Sequence, residues 1–253
     1  MIHMRNLTKM YGNLIAVNNI NLHVRRGEIF GFLGPNGAGK TTTIKMLAGL
    51  LRPTRGQILL NGYDVVQHPI LAKQIIGFIP DRPFLYDKLT GLEFMQFMAG
   101  LYGMNHGQFE DRAFRLLRLF DLEQWSGELI ESYSHGMKQR LIIASALLHQ
   151  PQLIIVDEPL VGLDPRGARM VKDIFRNLST HNGVTIFMST HTLEVAQEMC
   201  HRIAIIHEGN EVALGTFAEL QQQAGISNPR LESIFLKLTG GDEMKEIIEV
   251  LKE

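Results

Sequence analysis

Glu28-Ile29-Phe30-Gly31-Phe32-Leu33-Gly34-Pro35-Asn36-Gly37-Ala38-Gly39-Lys40-Thr41 is the stretch that decides the fold. The apolar run from Glu28 to Leu33 has the length and content of a buried strand, and Thr41 to Leu51 has the character of a helix. Between them lies a glycine-rich loop. A polyphosphate needs many backbone N–H donors converging on it, and Gly34, Gly37 and Gly39 leave the backbone bare where it would wrap the anion. The helix N-terminus behind the loop adds partial positive charge. The loop therefore reads as a phosphate cradle for a nucleotide. Lys40 would reach the β- and γ-phosphates as a point charge, and the Thr41 hydroxyl offers Mg²⁺ a hard oxygen.

These are the parts of a P-loop, in the strand-then-helix setting that the motif requires. A phosphate cradle alone hydrolyses nothing; it needs one carboxylate to hold the metal and another to act on water. Leu153-Ile154-Ile155-Val156-Asp157-Glu158 supplies both. Asp157, at the C-terminal tip of a buried strand, is placed to hold Mg²⁺ directly or through water. Glu158 is next in line to orient or deprotonate the attacking water. A further anion site is expected at Tyr133-Ser134-His135-Gly136-Met137-Lys138-Gln139-Arg140, which runs into a helix from Leu141 to His149. There Ser134 suits an N-cap and Gly136 bares the backbone.

Composition narrows the partners. The net charge is −1 with 20% charged residues, so nothing points to nucleic acid. A single cysteine, Cys200, excludes an internal disulfide and reads as a small buried hydrophobe. Met1 to Tyr11 has no apolar segment of a signal peptide. The longest apolar or small run, Leu141 to Leu148, falls short of the roughly 20 residues a spanning helix needs, so direct membrane insertion is not expected.

Along the chain, Ile2 to Val24 with a turn at Tyr11-Gly12-Asn13, and Gly56 to Val65 with Asn61-Gly62, predict a small antiparallel sheet. Ile75 to Ile79 predicts a strand, followed by the extended loop Pro80-Asp81-Arg82-Pro83. Thr90 to Gln150 reads as helices, with Phe109, Ala113, Leu116, Leu117 and Phe120 on one face opposite Arg112, Arg115 and Arg118. The runs 153–156, 184–189 and 203–206 predict buried parallel strands, with a helix from Arg166 to Leu178 between the first two. Glu208 to Leu214 predicts a hairpin. Two tail helices are expected, on Leu231, Ile234, Phe235 and Leu238 and on Met244, Ile247, Ile248 and Leu251.

The sequence resembles the ATP-binding cassette (ABC) ATPases, the motor subunits of ABC transporters, over its whole length. Six motifs stand in the family's order. Tyr11 matches the adenine-stacking aromatic, and Gly34, Pro35, Asn36, Gly37, Ala38, Gly39, Lys40, Thr41 and Thr42 match Walker A. Ser134, Gly136, Gln139 and Arg140 match the signature. Asp157 and Glu158 match Walker B with its catalytic glutamate, Gly162-Leu163-Asp164 the D-loop, and His191 the switch histidine. The resemblance implies an α/β P-loop NTPase with a RecA-like, mostly parallel sheet and flanking helices. A small antiparallel β-subdomain and a helical subdomain at about 84–150 belong to an ATPase domain over 1–217, with a helical tail over 218–253.

It also implies catalysis through Glu158, His191 and Lys40, and a metal site on Thr41, Asp157 and Asp81. Two chains, identical or paired, would close head to tail on ATP and Mg²⁺. Each ATP would lie between one chain's Walker motifs and the other's Ser134, His135, Gly136 and Met137. The cassette would sit in the cytoplasm on the inner face of the cell membrane, through an integral membrane permease.

Two departures stand out. Tyr133, His135 and Met137 replace the family's common Leu, Gly and Gln, and Asp81 stands where most members carry a glutamine that touches Mg²⁺. A GTPase would need a base-reading Asn-Lys-x-Asp, which is absent. A regulatory ABC-type ATPase uncoupled from transport is the other alternative, weakened by the intact Glu158. The segment Leu231-Glu232-Ser233-Ile234-Phe235-Leu236-Lys237-Leu238-Thr239-Gly240 is similar to the ending of exporter cassettes that work with a separate permease.

Overall fold

The computed structural model describes residues 1–82, 84–225 and 230–239. It opens with the antiparallel pair β1 (Ile2–Tyr11) and β2 (Leu14–Val24), followed by the loop strand β3 (Ile29–Leu33) and helix α1 (Lys40–Leu47). Next come β4 (Arg55–Leu60), β5 (Tyr63–Asp64), helix α2 (Pro69–Gln74) and β6 (Ile76–Ile79). Asn61 and Gly62, at φ 47° and 90°, turn β4 into β5 as a primed hairpin turn requires. The four-stranded antiparallel sheet β2-β1-β4-β5 results.

Three helices follow, α3 (Gly91–Leu101), α4 (His106–Leu119) and α5 (His135–Leu147). Thr90 and Glu93 cap α3 reciprocally, each side chain bonded to the other's backbone N–H at 3.2 and 2.8 Å. The expected face of α4 is buried, Phe109, Ala113, Leu116, Leu117 and Phe120 all joining one core with α3, α5 and the sheet. Arg112 departs from its expected solvent face. Its guanidinium donates to the carbonyls of Leu148 and Leu147 at 2.6 and 2.8 Å, closing the C-terminus of α5.

The chain then alternates: β7 (Leu153–Asp157), α6 (Pro165–Asn182), β8 (Thr185–Thr190), α7 (Leu193–Met199) and β9 (Arg202–His207), with β10 (Asn210–Gly215) folding back on β9. The central sheet has the order β10-β9-β3-β8-β7-β6. All its pairings are parallel except β10 on β9. Every residue of β3, β7 and β8 is buried, as continuous apolar strands covered on both faces must be. Helices α8 (Phe217–Ala224) and α9 (Leu231–Leu238) close the described chain, burying Leu220, Leu231 and Ile234 with Leu33, Ile203 and Ile205.

Two helix ends differ from the sequence expectation. Helix α1 stops at Leu47, not Leu51, because Gly49 enters the left-handed region at φ 66° and Leu50 and Leu51 fold back onto the Lys45 carbonyl. Helix α6 runs on to Asn182, where Gly183 caps it at φ 64°. Helix α8 falls at the start of the helical tail expected over 218–253, its first turn marked by the capping box of Thr216 and Glu219, whereas α2 and α7 have no counterpart in the sequence expectation. Pro83 and the second tail stripe, Met244 to Leu251, lie outside the described residues.

Candidate nucleotide site

The loop Gly34 to Gly39 leaves the C-terminal end of β3 and enters α1 through Gly39, which has φ 101° and provides no side-chain cap. The glycines serve different ends. Gly37, at φ 82°, would direct a Cβ into open space, so only its backbone angle demands glycine and the room before it is free for a ligand. Gly39 must be bare because the Ala16 carbonyl would stand 2.3 Å from a Cβ there. Gly34, expected to bare the backbone for phosphate, is instead bare for packing: a Cβ would meet the Ile206 carbonyl of β9 at 2.4 Å. Lys40 is buried and donates to the Gly34 and Pro35 carbonyls at 2.7 and 3.1 Å. Burial pushes its ammonium below the usual lysine range, while Glu158 and Asp157 draw it back.

Asp157 ends β7, one strand from β3 across β8. Its carboxylate accepts from Ser189 of β8 and, at 3.3 Å, from the Thr41 hydroxyl. Burial raises the Asp157 carboxyl; the Ser189 bond opposes this, and the charges of Asp81 and Glu158 raise it further. Asp81, exposed after β6, is thus electrostatically part of the same cluster. Among the described residues no three His, Cys, Asp or Glu side chains converge as metal ligands. Thr41 and Asp157 offer two hard oxygens, the donor set of a cation that keeps waters and shares phosphate oxygens, which fits Mg²⁺.

Glu158 follows in the left-handed region at φ 51°, a conformation that costs a non-glycine residue about 1 kcal/mol or more. Its carboxylate is held at both oxygens. Oε1 accepts the His191 backbone N–H at 2.9 Å and the His191 ring Nδ1 at 2.7 Å; Oε2 accepts the Thr190 hydroxyl at 3.1 Å. Because a carboxylate only accepts, Nδ1 carries the ring hydrogen. Sequence reasoning named His191 but gave no role to Ser189 and Thr190, the polar C-terminal end of β8.

The remaining expected residues are placed as follows. Tyr11 lies exposed at the β1–β2 turn, with the Lys9 ammonium 5.3 Å from its ring centre, on the hairpin whose Ala16 abuts Gly39. Ser134 caps α5 by accepting from the Met137 N–H at 3.2 Å. His135 is exposed, Gly136 and Met137 half-buried. Tyr133 is accommodated: its hydroxyl donates to the Trp125 carbonyl at 2.6 Å, in space left by Gly91, where a Cβ would stand 2.3 Å away. Arg140 anchors α5 to the Phe120 carbonyl at 2.7 Å. Asp164 caps α6 by accepting from Gly167 N–H at 2.7 Å. Within one chain, α5's N-terminus is not part of the Lys40–Asp157–Glu158 cluster.

A phosphate loop between β3 and α1, with two acids and a histidine at the ends of the adjoining parallel strands, defines a P-loop nucleotide hydrolase. Residues 17–161 match the ABC transporter family. The chain belongs to that family, as an ATP-binding cassette with ATPase activity.

Its relatives agree. The linearmycin resistance ATP-binding protein LnrL of Bacillus subtilis (strain 168) is 38% identical over 225 residues, 89% of this chain and 72% of that protein. The bacitracin transport ATP-binding protein BcrA of Enterococcus faecalis is 41% identical over 224 residues, 88% of this chain and 71% of that one. The solved ATP binding subunit of an ABC transporter superposes with a TM-score of 0.89 at 34% identity, covering 94% of this chain and 99% of its own. A dimeric ATP-binding cassette in a post-hydrolysis state, bound to ADP and Pi, superposes at 0.79 and 26% identity, covering 85% and 98%.

Proposed function

We propose that this chain is the Mg²⁺-dependent motor of an ABC exporter whose permease is a separate polypeptide. The observation that carries this reading is the convergence of Lys40, Thr41, Asp157, Glu158 and His191 at the C-terminal ends of β3, β7 and β8. Lys40, released from the Gly34 and Pro35 carbonyls, binds the β- and γ-phosphates, with Gly37 to Thr42 supplying N–H donors. Thr41 and Asp157 hold Mg²⁺, which when bound offsets the charge of the phosphates. Glu158 takes the proton of the attacking water at a carboxylate oxygen, and His191 orients Glu158 and contacts the γ-phosphate. Tyr11 stacks on the adenine.

Ser134, His135, Gly136 and Met137 complete the ATP site of a second cassette, so two chains close on two ATP and open when the γ-phosphate is lost. Support for a dimer comes from the dimeric cassette structures that this fold resembles. The permease docks beside the Asp81 loop. Phe84 is 79% exposed and Leu101 65%, and Phe84, Tyr86 and Phe97 form an edge-on aromatic cluster there. Among the described residues no helix is long and apolar enough to cross a membrane, so attachment to the inner membrane face runs through that partner. The tail Leu231 to Leu238 and the likeness to LnrL and BcrA favour export over import.

Lys40→Ala tests the site. It should abolish both ATP binding and phosphate release in the purified chain; unchanged turnover would end the assignment.

A further inference from the structure

Parallel pairing sets two hydroxyls beside two acids. In the register of β7 on β8, Asp157 stands opposite Ser189. The Glu158 N–H then donates to the Ser189 carbonyl at 3.1 Å, one step past the end of β7. Consecutive residues of a strand face opposite sides of the sheet, so Ser189 and Thr190 cannot serve the same acid. Each has its own: Ser189 donates to Asp157 Oδ1, and Thr190 donates to Glu158 Oε2. Both side chains are buried, and burying a hydroxyl is costly unless it is bonded. The bonds to the two acids are what offset that cost.

The two bonds leave different oxygens open. At Asp157, Oδ1 is occupied by Ser189, and Oδ2 is the oxygen turned to the Thr41 hydroxyl at 3.3 Å. Ser189 thus holds the carboxylate with its other oxygen beside the second hard donor of the metal pair. At Glu158, Oε1 already accepts two N–H groups of His191, at 2.9 and 2.7 Å. Among the described residues Oε2 accepts only from Thr190, at 3.1 Å, so it is the oxygen with room for a water's proton. The Thr190 hydroxyl is itself aimed. Its oxygen accepts the Thr192 N–H at 3.0 Å, which turns its single hydrogen to Glu158.

We propose that Ser189 and Thr190 are positioning residues with divided duties. Ser189 sets the hold of Asp157 on Mg²⁺, and Thr190 presents Glu158 Oε2 to the attacking water. Each hydroxyl acts through its acid, and the strand's alternation keeps the two duties apart. The proposal rests on the roles given to Asp157 and Glu158 in the preceding subsection.

Two readouts on the full chain separate the duties. Equilibrium binding of a fluorescent, non-hydrolysable ATP analogue, with and without Mg²⁺, gives the gain in affinity that the cation brings. Phosphate release at saturating Mg²⁺ gives kcat and KM. Ser189→Ala should cut the Mg²⁺-dependent gain about tenfold or more, with affinity in the absence of Mg²⁺ within about twofold of wild type. Ser189→Cys, of similar size but a weaker donor, should cut the gain in the same direction. Thr190→Val keeps the shape and removes the hydroxyl. It should lower kcat about tenfold or more, while KM and the Mg²⁺-dependent gain stay within about twofold. Thr190→Ser restores the hydroxyl and should bring kcat back to within about threefold of wild type.

A wild-type gain in both Ser189 variants overturns the proposal, as does wild-type kcat in Thr190→Val. A Thr190→Ser chain as slow as Thr190→Val overturns it too. So does equal loss of both properties in Ser189→Ala and in Thr190→Val, which is what mere distortion of the strand end would give. Asp157→Asn and Glu158→Gln separate the two levels. If Asp157→Asn keeps the gain, or Glu158→Gln keeps turnover, the preceding reading of those acids fails and takes the proposal with it. If both lose them while the hydroxyl variants are normal, only the roles of Ser189 and Thr190 fall.

Discussion

The Glu158 carboxylate and His191 are joined twice, through the His191 backbone N–H at 2.9 Å and its ring Nδ1 at 2.7 Å. The double contact fixes the ring's tautomer and leaves Nε2 as its free end, on a side chain that is 61% exposed. Removing the ring removes one hold on Glu158 and the contact proposed to the γ-phosphate. His191→Ala should therefore bind ATP normally and hydrolyse it about 100-fold more slowly or worse. Phosphate release alongside an equilibrium nucleotide-binding measurement checks this, and turnover within a few-fold of wild type would contradict it.

Asp81 is coupled to Asp157 by charge, one acid raising the other's carboxyl. A glutamine would meet Mg²⁺ with a neutral oxygen; Asp81 is one methylene shorter and adds a negative charge, so the role proposed for it is on the cation through water. Asp81→Ala should raise the Mg²⁺ concentration needed for half-maximal turnover of the isolated chain, and Asp81→Gln should largely restore it. An unchanged Mg²⁺ titration in Asp81→Ala removes the metal role, leaving permease coupling, read by transport in the assembled complex.

His149 carries a pH prediction for stability. Its ring stacks on Tyr102 at 3.6 Å and its Nε2 donates to the Ile76 carbonyl at 2.9 Å, where β6 begins. Burial holds the ring down at about 4, against the pull of the Ile76 bond. Unfolded, the ring titrates near about 6.5. Between these values the unfolded chain binds a proton that the folded chain refuses, so stability falls as pH drops. The loss is about 1–2 kcal/mol by pH 5. Thermal melts from pH 7 to pH 4 should show this slope, and His149→Gln should flatten it. An equal slope in the variant would contradict the account.

Local chemistry made much of this site legible. The glycines and Lys40 of the loop, the acids closing 153–158 and the Asn61-Gly62 turn each act through neighbours in sequence, so spacing alone reveals them. What escaped was either long-range or dual-purpose. Gly34 looks like every other loop glycine, yet it is bare because the Ile206 carbonyl, far along the chain, packs on it. Arg112 fits the polar face of α4 by periodicity, but the end of α5 happens to lie within its reach. The ring of His135, on α5, lies against Gly162, beyond β7, a contact that no periodicity encodes.

The central claim, that two chains complete each other's ATP sites and that Glu158 opens them by hydrolysis, is tested most directly with Glu158→Gln. The substitution keeps the hydrogen-bonding shape of the side chain but removes the proton acceptor. Light scattering with and without ATP and Mg²⁺ should show a monomer without nucleotide and a doubling of mass with it. A Glu158→Gln chain that binds ATP to saturation and stays monomeric would contradict the account.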